Sequence, residues 1–213
     1  MSRDDRPETE REQTMPISDD ELMCRFQNGD EAGFRRLMER YQDRILNYVY
    51  RMVSDRHMAE DLTQEVFVRI YLNAGRYLPG SRFAPWLYRI ASNLAINELR
   101  RRKRWRFVTI DNNPSDEDRN VITDLKDEKT VNPEDHVSKV EAADEVAEAL
   151  DKVPIKYRSP LILRELEGYD YEEIAQILDI PRGTVKSRLN RGRALLASAL
   201  KRARTTANAS VAM

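Results

Sequence analysis

Cysteine occurs once in 213 residues, at Cys24. A single thiol excludes an internal disulfide and any zinc site built on several cysteines. Histidine is nearly as scarce. His57 and His136 stand alone, with no HExxH and no His/Cys spacing suited to a metal. A glycine-rich phosphate loop is also lacking, so nothing argues for catalysis and no cofactor is expected. Seven glycines and little β-branched alternation make an all-α protein the expectation. No stretch reaches the ~18 apolar residues of a membrane span, and the charged N-terminus lacks a signal peptide's apolar core. A soluble, cytoplasmic protein without membrane insertion is expected.

Charge is plentiful by contrast. Asp, Glu, Lys and Arg make up 34% of the chain, yet the formal net charge is only −1. The signs are segregated. Arg100 to Arg106 is basic at six of seven positions, while residues 111 to 151 hold fourteen acidic against four basic side chains. From Arg182 to Arg204 there are eight basic residues and no acidic one. Local basic patches on a balanced chain bind nucleic acid weakly when alone, which leaves room for a helping partner.

Periodicity divides the chain into two helical domains. Residues 1–17 are polar and read as a tail. A first domain spans 18–106. Ser18 opens a short helix over 19–27, ended by Asn28-Gly29, and Asp30 caps a longer one to about Met52. Phe34, Leu37, Met38, Tyr41, Ile45, Tyr48, Val49 and Met52 give that helix a buried stripe. A third helix, about 56–74, buries Leu62, Val66 and Ile70 and turns Asp61, Gln64, Glu65 and Val68 outward. Two carboxylates four apart are common on a solvated face, and no third ligand accompanies them. A contact surface for a basic partner is the alternative.

Residues 77–83 form a turn-rich loop, and Pro85 opens a fourth helix. Its inner stripe is Trp86, Leu87, Ile90 and Leu94, with Leu99 a further candidate. Tyr88, Arg89, Ser92, Asn93 and Asn97 are placed outside or at its margins. An aromatic-bearing loop beside amides and a basic run has the parts of a single-strand binder, since cations track phosphates and planar groups stack bases.

Residues 107–133 are acidic, carry Pro114 and Pro133 and show no period, so they read as a linker. Twenty-seven residues reach at most ~90 Å at about 3.3 Å each. Two DNA sites about twenty base pairs apart lie ~70 Å from each other. The linker bridges them only when held stretched.

A second domain, 134–204, begins with a helix to Asp151, with Val137, Val140, Val146, Ala147 and Leu150 for its core. A helix from about Ile155 to Glu167 follows, with Leu161, Ile162, Leu163 and Leu166 inward and Gly168 closing it. The stretch from Tyr169 to Leu200 then reads as helix, turn, helix. Ile174, Ile177 and Leu178 form one apolar stripe, Asp179 to Gly183 breaks it, and Thr184 is a candidate N-cap for the helix that follows. Val185, Leu189 and Leu196 face inward on that helix. Lys186, Ser187, Arg188, Asn190, Arg191 and Arg193 face out, as a helix lying in a DNA major groove requires. Residues 205–213 read as a small polar tail.

Three stretches in order resemble a known family. AEDLTQEVFVRIY is similar to region 2.2 of bacterial extracytoplasmic-function (ECF, group IV, sigma-70 family) RNA polymerase sigma factors. RFAPWLYRIASNLAINELRRRKR resembles regions 2.3 and 2.4, and LRELEGYDYEEIAQILDIPRGTVKSRLNRGRALL resembles region 4.2. The resemblance covers roughly residues 20–202. It implies that Asp61, Gln64 and Glu65 dock on the β′ clamp helices of core RNA polymerase, and that the β flap is a further polymerase contact.

It further implies that promoter DNA is read at a −10 element by Tyr77, Ser81, Arg82, Phe83, Asn93 and Asn97, with Arg100 and Arg101 on phosphates. A −35 element would fall to Lys186, Ser187, Asn190 and Arg191, with Arg182, Thr184, Arg188 and Arg193 around them. An anti-sigma factor is an implied partner. The chain departs from many relatives at Leu78-Pro79-Gly80-Ser81, where those carry a Phe and an acidic residue. A stand-alone helix-turn-helix regulator would account for 169–200 but leave 61–106 unexplained. A protein decoy would normally carry an attached signalling domain, and its DNA-facing cations would have no role.

Overall fold

The computed structural model describes the backbone of residues 17–110 and 146–211, and side chains over 17–104 and 146–203. Every regular element among them is helical. Four helices form the first group: α1 (Asp19–Gln27), α2 (Glu31–Val53), α3 (Arg56–Leu72) and α4 (Phe83–Ile110), with a 3-10 turn at Ala74–Arg76. The second group holds α5 (residues 146–151), α6 (Ile155–Glu165), α7 (Tyr171–Leu178) and α8 (Arg182–Val211). The linker expected over 107–133 falls mostly outside the described residues, as do the first sixteen residues and the start of the helix expected from Glu134. α4 carries its helix on to Ile110, past the expected end at 106.

The helix starts follow local chemistry. Ser18, Asp30 and Asp55 each cap a helix by accepting from a backbone N–H of its first turn, and Asp170 with Glu173 closes a reciprocal capping box on α7. The Met58 amide, joined by Arg102, holds the Asp55 carboxyl below its ordinary value. α1 and α2 cross at Gly33, where a Cβ would lie 2.4 Å from the Leu22 carbonyl oxygen. Only glycine allows that approach.

α2 is the axis of the first group. Leu37, Ile45, Tyr48, Val49 and Met52 are fully buried at three-and-four spacing, and Tyr41 nearly so. Each such side chain contributes roughly 1.5–3 kcal/mol by leaving water. α3 closes one side with Val66 and Ile70, and α4 the other with Leu87, Ala91 and Leu94.

Several expected faces differ. Tyr88 and Ser92, placed at the margin of α4, are both completely buried. The Ser92 hydroxyl meets the Tyr48 phenol at 2.7 Å, and Tyr88 faces the second helical group. α4 is therefore covered on more sides than a surface helix. Val146 and Leu166, expected inside, are exposed, and Ala149 and Leu150 fill the core beside α6. α8 starts at Arg182, two residues before Thr184, because the Pro181 carbonyl already accepts from the Thr184 and Val185 amides. It also continues to Val211, into the expected tail.

The two groups pack against one another. Arg158 on α6 is buried and donates to the Met52 carbonyl at 2.8 Å, a group left open at the end of α2. The same guanidinium donates to the Val153 and Asp151 carbonyls. Burial lowers its affinity for a proton, partly offset by the Asp151 carboxylate. Alongside, Glu167 accepts from the Tyr88 hydroxyl and lies 3.4 Å from Arg44, while Tyr88 and Tyr169 meet edge to face. Burial, then the adjacent Glu167 carboxylate, pushes the Tyr88 phenol well above its ordinary value.

Candidate nucleic-acid interface

Three exposed surfaces carry the expected site residues. On α3, Asp61 and Gln64 are exposed, and Glu65 is engaged by Arg69 at 2.7 Å. Beside them lies an apolar groove of about 400 Å³ between α2 and α3. Phe34, Met38 and Phe67 form its floor, and Val68, Tyr71 and Leu72 stand on its rim at 49%, 46% and 74% exposure. Exposed apolar patches of this kind occur where a protein, membrane or ligand makes contact. Sequence reading placed Val68 on this face but passed over Tyr71 and Leu72, which follow it at helical spacing.

The second surface runs from the 77–82 loop along α4. Tyr77 and Phe83 are almost completely buried, with their rings packed on each other and on Trp86. Neither is presented as a stacking platform. The loop instead offers Leu78, Pro79, Gly80, Ser81 and Arg82, all exposed, with Gly80 in the left-handed region at φ +82°. Asn93, Asn97, Arg100 and Arg101 are exposed along α4, and Asn97, Arg100, Lys103 and Arg104 line a shallow polar concavity. Arg101 is held in a two-pronged ion pair by Glu98, both distances 2.8 Å, and Arg102 by Asp55 at 3.1 Å. The Arg101 hydrogen bonds, with the charge of nearby Arg102, hold Glu98 below its ordinary carboxyl value.

The third surface belongs to α8. Behind it, Ile174, Ile177, Val185 and Leu189 are buried, locking α7 to α8 through a turn in which Asp179 adopts φ +54°. Lys186, Ser187, Asn190 and Arg191 are all exposed, with Arg188 and Thr184 half-buried beside them. The Ser187 hydroxyl donates back to the Thr184 carbonyl at 3.0 Å. Arg193 is engaged by Glu165 at 2.6 Å and Arg182 by Glu172 at 3.2 Å. The exposed polar set lines one side of a helix entered by a tight turn, the geometry with which helix-turn-helix proteins enter a major groove.

Family comparisons agree with this layout. The family model for Sigma-70 region 2 matches residues 37–105, and that for Sigma-70, region 4 matches residues 143–196. The ECF RNA polymerase sigma factor SigW of Bacillus subtilis is 34% identical over 173 residues, covering 81% of this chain and 91% of that protein. The chain belongs to the ECF sigma factor family. The RNA polymerase sigma-H factor of Pseudomonas aeruginosa is 36% identical over 186 residues, covering 86% of this chain and 94% of its own. In fold, this ECF sigma factor is similar to the sigma factor RpoE of Bartonella quintana, solved with the anti-sigma factor NepR. That match has a TM-score of 0.60 at 22% identity and covers 79% and 96% of the two chains.

Among the described residues of this ECF sigma factor, no cluster of three or more His, Cys, Asp or Glu is placed to hold a metal, and no helix is long and apolar enough to cross a membrane.

Proposed function

We propose that this ECF sigma factor binds core RNA polymerase and directs it to promoters carrying paired −35 and −10 elements, with residues 18–106 serving as region 2 and 134–204 as region 4. The exposed amides and cations of α8 carry the reading. Lys186, Ser187, Asn190 and Arg191 read base edges of the −35 element, and Arg182, Thr184, Arg188 and Arg193 adjust to its phosphates. The ion pairs that now hold Arg182 and Arg193 are exposed and worth little, so DNA phosphates displace them easily.

The α3 face with Asp61, Gln64 and Glu65, together with the neighbouring groove, docks on the β′ clamp helices, and region 4 on the β flap. Ser81 and Arg82 of the loop, with Asn93 and Asn97 of α4, hold the non-template strand of the −10 element, while Arg100 and Arg101 meet its backbone. Tyr77 and Phe83 act beneath that loop by packing. Capturing an extruded base offsets the few kcal/mol of unstacking it costs, which helps open the duplex. An anti-sigma partner, as in the Bartonella quintana complex, would regulate the same surfaces. Chemistry stays with the polymerase.

Run-off transcription with Lys186→Ala/Arg191→Ala tests the −35 assignment. Base-edge contacts are worth about 1–3 kcal/mol each, so the double variant loses at least ~30-fold on a −35/−10 promoter. On a template whose −35 is scrambled it matches the unaltered protein. Equal loss on both templates would reject these residues as the −35 readers.

A further inference from the structure

The promoter-facing loop is fastened from below by a helix that carries none of the expected site residues. On α1, one carboxylate oxygen of Asp20 accepts from the Gly80 amide at 2.9 Å and from the Tyr77 hydroxyl at 2.9 Å. The Tyr77 phenol also reaches the Ser81 carbonyl, so its single hydrogen lies between two acceptors. About two turns further along α1, the Gln27 amide donates to the Ala74 carbonyl and the Tyr77 carbonyl, both at 2.8 Å. Three backbone groups of the segment 74–80 are thus tied to two side chains nearly fifty or more residues earlier in the chain. The tip itself, Leu78-Pro79-Gly80-Ser81, is exposed, turned by a glycine with positive φ and closed by the Ser81 amide and hydroxyl on the Leu78 carbonyl; without the ties from α1 that short turn is free to shift as a unit.

We infer that Asp20 and Gln27 are positioning residues that set −10 base preference by holding the 77–82 loop in its reading shape. This rests on that loop being the −10 reader. Discrimination between bases depends on groups held within about half an ångström of their productive positions. A loop ordered only on binding spends part of its interaction energy on ordering, and it accommodates a wrong base more readily. Neither side chain needs to touch DNA, because the atoms named here are taken up by the loop itself.

The test is open-complex formation by holoenzyme assembled from core polymerase and the full chain, followed by 2-aminopurine fluorescence in the −10 element. Each variant is compared on a preferred promoter and on one with a single −10 base replaced. Asp20→Ala and Gln27→Ala lower the preferred-to-replaced ratio by about tenfold. Core affinity and binding to −35 duplex stay within about twofold. Asp20→Asn, which keeps an acceptor for the Gly80 amide, retains most of the ratio. Tyr77→Phe, which keeps the packed ring, separates the phenol tie from the backbone tie. Should Asp20→Ala fold poorly, Gln27→Ala still decides.

A ratio unchanged in Asp20→Ala and Gln27→Ala, or activity lost equally on both templates, would overturn the inference by reducing these residues to scaffold. An unaltered protein that shows no −10 preference, yet still depends on the −35, would overturn it differently, by removing the loop's reading role.

Discussion

Glutamate at both Val68 and Leu72 weakens binding to core RNA polymerase about 100-fold, with the fold intact. Both side chains stand on the rim of the α2–α3 groove, at 49% and 74% exposure. Neither supports the core of the free protein, so surface replacement costs within about 0.5 kcal/mol of stability. In a complex the same positions are desolvated. A carboxylate there has no partner, and loss of apolar contact at two neighbouring, non-additive interface positions costs roughly 3 kcal/mol together. Polymerase affinity measured by fluorescence anisotropy, beside thermal unfolding, separates the two effects. Asp61→Ala and Gln64→Ala, at exposed polar positions, cost less, about tenfold or under. Core affinity unchanged in the double glutamate variant would place the polymerase contact elsewhere.

A chain whose two helical groups are fastened together binds core polymerase but initiates at less than about a tenth of the normal rate. The two proposed reading surfaces are close in this structure. Arg82 in the loop is ion-paired with Glu173 on α7, and Arg89 on α4 lies 3.6 Å from Asp179 at the end of the same helix. Packed helices run 8–10 Å apart, which puts the α8 reading face roughly 20 Å from Arg82. Promoter elements about twenty base pairs apart lie ~70 Å from each other. On the proposed site assignments, initiation requires the junction at Arg158, Glu167 and Tyr88 to open, and the chain over 107–133, with a contour of at most ~90 Å, is sufficient for the span.

The fastening uses cysteines at positions 82 and 173 in a Cys24→Ser background, joined by a short reductant-cleavable bismaleimide. Uncrosslinked protein is the control for the capping role of Glu173 on α7. Reductant restores run-off transcription to the control level. Equal initiation before and after cleavage would mean that the domains need not part.

Local signals carried much of this into the sequence. The bounds of α1 and α7 were legible from Ser18, from Asn28-Gly29 and from the Asp179–Pro181 break, because caps and breakers act over a few residues. The exposed set on α8 was legible because a basic, Ser- and Asn-bearing face contrasts with the buried Val185 and Leu189. Long-range choices were not. Tyr88 looks peripheral until the second domain covers it, and Ser92 until the Tyr48 phenol reaches it. Tyr77 and Phe83 carry rings that suit either bases or a core, and their neighbours in space, not in sequence, decide for the core. The groove was hidden because Tyr71 and Leu72 have a composition that predicts burial. The ties from Asp20 and Gln27 span 47 to 60 residues and leave no periodic trace.

The most direct measurement is transcription by purified core polymerase on a promoter library from the source genome, with and without this protein. The expected result is a set of new start sites that require the protein and share one −35 and one −10 sequence at fixed spacing. The contradicting result is no core-dependent initiation together with tight binding of the protein alone to duplex DNA, which would leave a helix-turn-helix regulator acting without polymerase.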